Sequence, residues 1–127
     1  MKIGLINTLT EDSPLAKVFG MICKDVSHLE TQIYQSEQFN PNQIQQDNLN
    51  YILMYGAIES DDGLAKAIHK HSSVPLLYLI IPGYGREKER YNQLQETGIE
   101  VYHVLKTDQH RGSEDLIARL KKLGEQL

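Results

Sequence analysis

The fold is decided by the stretch from Asn50 to Gly63, which reads NYILMYGAIESDDG. Residues 51–55 form a short apolar run that has the length of a β-strand. An acidic loop closed by a glycine follows this run, and a helical pattern begins at Leu64. The pattern predicts a buried central strand that delivers a polar loop to one edge of a sheet.

Strands and helices alternate on both sides of this stretch. The most hydrophobic run, residues 76–81, is apolar on both faces, which is typical of a middle strand in a parallel sheet covered by helices. Residues 30–36 alternate only weakly and predict an edge strand. The predicted strands are 2–7, 30–36, 51–55, 76–81 and 99–105, and the predicted helices are 14–26, a short one after Asn40-Pro41, one that runs from Leu64 and ends before Val74-Pro75, 86–97 and 113–127.

Alternation of this kind implies right-handed crossovers and a parallel sheet with helices on both faces. Five strands in 127 residues suit the flavodoxin-like strand order 2-1-3-4-5. We therefore predict a single α/β domain over residues 1–127, built as a three-layer sandwich around a five-stranded parallel sheet.

Two local signals refine the boundaries. The connection at residues 35–48 is rich in Gln and Asn and is predicted to be solvated. Within it, Gln43 follows Asn40 at the spacing of a capping box, which starts a short helix. Gly98 is predicted to end the helix 86–97, because glycine readily adopts the left-handed conformation that follows many helices.

Composition excludes several classes of protein. The formal charge of −4 and the lack of a basic stripe argue against nucleic-acid binding, which depends on phosphate contacts. The single cysteine, Cys23, rules out an internal disulfide framework. No run approaches the roughly 18 apolar residues of a membrane span, and the first residues lack the apolar core of a signal peptide. We predict a soluble cytoplasmic protein that does not bind membranes.

The functional crevice of such a sheet lies outside the carboxyl ends of strands 1 and 3. Hydroxyls at residues 8–13 suit a phosphate loop, but Glu11 and Asp12 would repel a phosphate and no glycine lets the backbone approach it. We therefore predict no flavin. The strand-end pocket candidates are Thr10, Glu11, Asp12, Tyr55, Asp62 and Lys106.

Other chemistry at this edge has a simpler explanation. The carboxylates of this edge are oxygen ligands of the kind that Mg²⁺ binds, but Asp61 and Asp62 also suit the capping of the next helix. The histidines are scattered, and Cys23 has no identifiable activating base. We predict no metal site, no cofactor and no catalytic residue, which favours a protein that is not an enzyme.

From Asn50 to Leu123 the sequence resembles a response-regulator receiver domain of the CheY-like type. The resemblance implies a strand ending in a phosphoacceptor position, a following helix, and a last strand ending in a lysine. The matching segments are Asn50–Tyr55, Asp62-Gly63-Leu64, Val74–Leu79, Glu96-Thr97-Gly98-Ile99, His103–Lys106 and Ser113–Leu123.

The chain departs from the receiver pattern where the chemistry would occur. The phosphoacceptor position holds Tyr55, whose phenol cannot form an acyl phosphate. Ile80 or Ile81 stands where the family has a hydroxyl, and Thr107 replaces the proline that usually follows the lysine. The acidic pair after strand 1 falls on residues 7 and 8, or is displaced to 11 and 12. Only Lys106 matches.

These observations predict a degenerate pseudo-receiver, a non-catalytic signalling or protein-interaction module that is not phosphorylated on aspartate. In receivers, the face formed by the fourth helix, the fifth strand and the last helix contacts partners. The resemblance implies that this face binds a protein partner or a second copy of the chain. The predicted interaction surface comprises Arg86, Arg90, Tyr91, Tyr102 and Lys121.

A small-ligand or nucleotide-binding flavodoxin-like domain is the alternative. Asp62-Gly63-Leu64-Ala65 and Val74-Pro75-Leu76 are similar to segments of TIR-like and nucleoside deoxyribosyltransferase enzymes. Those enzymes carry a catalytic glutamate on the helix that here begins at Leu64, and this helix has none.

Overall fold

The computed structural model describes residues 2–8, 30–83, 85–104 and 106–125. The strands are β1 (Lys2–Asn7), β2 (Glu30–Gln35), β3 (Tyr51–Gly56), β4 (Leu76–Ile80) and β5 (Glu100–His103). The helices in these ranges are α1 (Gln43–Gln46), α2 (Glu59–His71), α3 (Glu87–Glu96) and α4 (Ser113–Glu125). The helix predicted over 14–26 lies outside the described residues. None of the described helices is long and apolar enough to cross a membrane.

The five strands form one parallel sheet in the order β2-β1-β3-β4-β5, which confirms the predicted α/β fold and topology. β4 is buried along its whole length, as its uniformly apolar sequence predicts. β2 lies at the edge, also as predicted.

Helices cover both faces of the sheet. On one face, side chains of β3 and β4 pack against α1, α2 and α3, with Ile44, Ile68 and Leu94 among the buried contacts. On the other face, Leu116 and Leu120 of α4 pack against alternate residues of the same strands. Successive side chains of a strand point to opposite faces, so each central strand supplies both cores.

The Gln- and Asn-rich connection corrects one prediction. It is not fully solvated, because Phe39 and Ile44 are buried against the sheet. The predicted capping contact is present, since the Asn40 backbone N–H donates to Gln43 Oε1 at 2.8 Å. A few apolar residues thus anchor an otherwise polar segment.

The start of α2 also differs from the prediction. The helix begins at Glu59 rather than at Leu64, five residues earlier. The carboxylate of Asp61 accepts hydrogen bonds from the backbone N–H groups of Ala57 (2.8 Å) and Ile58 (3.1 Å). These bonds satisfy donors that the helix itself leaves unpaired, so the acidic residues extend the helix instead of forming a loop. Gly98 ends α3 with φ of 95°, as predicted.

Gly56, the last residue of β3, allows a close approach between three elements. A Cβ placed there would lie 1.7 Å from Tyr78 Oη and 2.8 Å from Asp61 Cβ. Neither neighbour can move freely, because both make the hydrogen bonds that organise this end of the sheet. Only glycine lets β3, β4 and α2 meet at this point.

Replacing Gly56 with alanine should therefore lower the free energy of unfolding by about 3 kcal/mol, because the added methyl group overlaps Tyr78. The matched control is Gly63→Ala within α2, where a Cβ would meet nothing within 4 Å. That variant should gain about 0.5–1 kcal/mol from helix propensity. Urea unfolding followed by circular dichroism measures both, and equal effects of the two substitutions would contradict this account.

Candidate functional site

The candidate site is the edge of the sheet where the parallel strands end at their carboxyl termini. β1 ends there at Asn7, β3 at Gly56, β4 at Ile80 and β5 at His103. Ligands of open α/β sheets bind outside this edge, so its polar groups decide what chemistry the fold can perform.

Tyr55 is buried on the face of the sheet that α4 covers. Its hydroxyl donates a hydrogen bond to Oδ1 of Asn7 on β1. Thr8 Oγ1 donates to the backbone oxygen of Tyr55 at 2.6 Å, which adds a second link between the ends of β1 and β3. A phenol is protonated at neutral pH, and burial raises the pKa of Tyr55 further above its ordinary value. The Tyr55 side chain therefore links β1 to β3 and is shielded from solvent.

On the opposite face, Asp62, Tyr78 and Arg90 form a buried cluster that we call the edge lock. The Arg90 guanidinium donates to both carboxylate oxygens of Asp62, from Nε at 2.7 Å and from Nη2 at 2.9 Å. Tyr78 donates its hydroxyl to Asp62 Oδ1 at 2.5 Å. Arg90 is only 4% exposed. The two charges are therefore shielded from water and compensate each other in a bidentate arrangement.

The edge lock also binds the backbone that leaves β3. Arg90 Nη1 donates to the carbonyl oxygen of Ala57 at 2.9 Å, and Nη2 donates to that of Gly56 at 3.3 Å. The hydrogen bonds to Asp62 raise the pKa of Arg90 despite its burial. The pKa of Tyr78 is raised too, first by burial and then by the neighbouring Asp62 carboxylate. One side chain from α3 thus holds the end of β3 and the first turns of α2.

The two neighbouring carboxylates of α2 have different roles. Both were predicted to cap the helix, and Asp61 does so. Asp62 instead points into the edge lock and is buried. The prediction of a second cap is wrong because an arginine of another helix, 28 residues away in the chain, takes that carboxylate.

Lys106 has a partner outside this cluster. Its ammonium lies 3.5 Å from Oδ1 of Asp115 near the start of α4, and the lysine side chain is mostly exposed. Asp115 also accepts the backbone N–H of Gly112 at 2.8 Å. That hydrogen bond is the main cause of the lowered pKa of Asp115, and Lys106 contributes further. The pocket candidates Tyr55, Asp62 and Lys106 thus have three different partners, while Thr10, Glu11 and Asp12 lie outside the described residues.

The predicted interaction surface divides into two groups. Arg86 and Lys121 are exposed. Arg90, Tyr91 and Tyr102 are buried, so their side chains cannot contact a partner in this conformation. Arg90 and Tyr91 precede Leu94 by four and three residues, so all three side chains lie on the inward face of α3. Tyr102 alternates inward on β5 and donates its hydroxyl to Glu100.

A cavity of about 600 Å³ opens at the same edge beside β5, between the start of α3 and the loop after β5. His110 lines this cavity and stacks on Tyr91 with ring centroids 4.1 Å apart. Its Nε2 is buried without a hydrogen-bond partner among the described residues. Sequence reasoning missed this residue, because nothing in an irregular loop signals that a histidine folds back onto α3. The cavity is lined by Glu87, Lys88, His103, Thr107, Asp108, Gln109 and His110.

Comparisons with known proteins add no identity. No protein-family model matches the chain, and no curated protein matches it. Within the described ranges, no group of three or more His, Cys, Asp or Glu side chains is arranged to hold a metal ion.

Removing the Arg90 side chain should strongly destabilise the fold, because the Asp62 carboxylate is then buried without a compensating charge. We expect Arg90→Met to lower the free energy of unfolding by about 3–5 kcal/mol. The double variant Asp62→Leu with Arg90→Met should lose less free energy of unfolding than the sum of the two single variants, by at least about 1 kcal/mol. The control is Arg86→Met, also at α3, which breaks exposed pairs with Glu59 and Glu89 and should cost below about 1 kcal/mol. Additive costs in the double variant would show that the pair is not coupled.

Stability should also depend on the protonation of His110. Burial, with help from His103 and Lys88, lowers the pKa of His110 below its ordinary value of about 6.5. The unfolded chain then binds this proton more readily than the fold, so stability is full above about pH 6.5 and falls as the pH drops towards the folded-state pKa. Urea unfolding between about pH 7.5 and 5 should show this loss of stability. The loss should be smaller in His110→Phe, which keeps an aromatic ring but cannot bind a proton. The loss should persist in the control His71→Gln, which removes an exposed histidine. An unchanged loss in His110→Phe would contradict the assignment.

Proposed function

We propose that the chain is a non-catalytic signalling and protein-interaction module with receiver-like topology, and that it is not phosphorylated on aspartate. The observation that carries the proposal is the state of Tyr55. The resemblance to receiver domains assigns this residue to their phosphoacceptor position, and the residue is buried and hydrogen-bonded to Asn7. A group in that state is a structural link between strands.

The chemistry of aspartyl phosphorylation supports the same reading. That reaction needs an accessible carboxylate nucleophile and a Mg²⁺ ion held by further carboxylates. A neutral phenol cannot replace the nucleophile. Of the carboxylates that follow β3, Asp61 caps α2 and Asp62 is bound to Arg90. The described acidic groups nearest to Tyr55 in the chain are thus engaged in holding the fold.

Contacts with other proteins would be made at the surface of the fold. We propose that a partner protein binds, in the cytoplasm, to the face formed by α3, β5 and α4, where Arg86 and Lys121 are exposed. Charges at the rim of such a face mainly affect association rate and orientation. The alternative, a small-ligand or nucleotide-binding domain, remains a prediction, and the cavity beside His110 is where a ligand would be sought.

Beryllofluoride with Mg²⁺ tests the proposal, because together they mimic a phosphoryl group on an aspartate. The backbone amide NMR signals of Tyr55, Asp62 and Lys106 should not move when beryllofluoride is added to a sample that already contains Mg²⁺. A receiver domain with an intact aspartate, in the same buffer, serves as the positive control. Shifts of these three signals at saturating beryllofluoride would contradict the proposed loss of phosphorylation.

A further inference from the structure

Among the residues that the structure describes, strand β2 is an unprotected edge of the sheet. No described strand lies beyond it, and it pairs with β1 in an unbroken register over all six of its residues. Natural edge strands are usually short, bulged, or protected by lysine or proline. β2 has neither lysine nor proline, and its only charged side chain is at its first residue, Glu30. At its centre, Ile33 is 55% exposed.

The other edge of the sheet is covered. β5 has four residues. The backbone N–H of His103 donates to the carbonyl oxygen of Arg111 at 2.7 Å, so the following loop lies against this strand. The guanidinium of Arg111 sits 4.7 Å from the ring centroid of Tyr102, and Arg119 donates to Glu100 at 3.0 Å. Within the described ranges, other elements therefore cover the β5 edge, and no strand pairs with the outer side of β2.

The backbone of β2 indicates how another strand would pair with it. The N–H of Ser36 donates to the carbonyl oxygen of Asn7 on β1. Because donors and acceptors alternate sides along a parallel strand, the even-numbered residues bond to β1. The N–H and C=O groups of Thr31, Ile33 and Gln35 therefore point away from the sheet. Ile33, the exposed apolar residue, is the middle one of the three.

We propose that β2 pairs antiparallel with the β2 strand of a second copy of this chain, with Ile33 directly opposite the Ile33 of that copy. The two sheets then continue as one across a two-fold axis. The inference does not rest on the proposed function, since β2 lies at the opposite edge of the sheet from β5.

The segment 30–36 is self-complementary in this register. Ile33 is its midpoint, so the two exposed apolar side chains meet as a cross-strand pair on the same face. Thr31 faces Gln35, and the outward N–H and C=O groups of Thr31, Ile33 and Gln35 form three opposed pairs with about six backbone hydrogen bonds in total. Glu30 faces Ser36, which keeps the two carboxylates about 20 Å apart, beyond the screening length at physiological salt. A second copy thus fits the edge in charge, hydrogen bonding and apolar contact.

Sedimentation velocity over a range of protein concentrations tests the proposal. The wild-type chain should dimerise, and Ile33→Lys should raise the dimer dissociation constant at least about tenfold, because it removes the apolar pair and places like charges opposite each other. The matched control is Ile58→Lys, which makes the same change at the other exposed large apolar residue of the described chain, 51% exposed. It should leave dimerisation unchanged. Circular dichroism verifies that each variant is folded.

Disulfide trapping tests the register. In a Cys23→Ser background, Ile33→Cys should oxidise to a covalent dimer, since directly opposed residues of a hydrogen-bonded pair have Cα atoms about 5.5 Å apart, within disulfide reach. Gln32→Cys, whose side chain points to the other face and is offset from its counterpart, should crosslink at least about tenfold more slowly.

Three outcomes would overturn the proposal. The first is a wild-type chain that stays monomeric at the concentrations used for NMR. The second is an Ile33→Lys variant that dimerises as well as the wild type. The third is a dimer that persists in Ile33→Lys but is lost in the double variant Arg86→Glu with Lys121→Glu. That result would place self-association on the face of α3, β5 and α4. None of these outcomes bears on the beryllofluoride experiment, so each of the two proposals can be contradicted without affecting the other.

Discussion

The structure depends most on the buried ion pair between Arg90 and Asp62. A guanidinium that is almost fully buried is stable only with a compensating charge and full hydrogen bonding. Asp62 supplies the charge and accepts two hydrogen bonds, and the carbonyl groups of Ala57 and Gly56 accept two more. These requirements fix the path of the chain from β3 into α2. They also fix the position of α3, since Arg90 must reach across to the end of β3.

The carboxyl edge therefore has a structural role on both faces of the sheet. On one face the edge lock joins α2, α3, β3 and β4, and Gly56 is required because Tyr78 occupies the space of a side chain. On the other face Tyr55 and Asn7 join β3 to β1. In many α/β proteins such an edge binds a ligand or carries catalytic residues. Here the described carboxylates that follow β3 bind neighbouring backbone or arginine groups, which is why a non-catalytic role is the function we propose.

Patterns local in sequence predicted the fold well. The uniformly apolar β4 and the alternation of strands with helices gave the parallel sheet and its order, and Gly98 and the contact from Asn40 to Gln43 are where local signals put them. Contacts distant in sequence were not predictable. Asp62 looks like a helix cap until Arg90 is placed 28 residues later, and Arg90 looks like a surface charge until Asp62 is placed beside it. His110 stacks on Tyr91 from an irregular loop, whose path no periodicity describes.

The central claim is that the end of β3 is locked and does not open to accept a ligand or a phosphoryl group. Hydrogen exchange of the Ala57 and Ile58 backbone amides, which donate to Asp61, tests this most directly. If the edge is locked, these amides exchange only when the whole protein unfolds, with the same free energy of opening as the β4 amides. Exchange of Ala57 and Ile58 through a local opening, several kcal/mol easier than that of β4, would contradict the account.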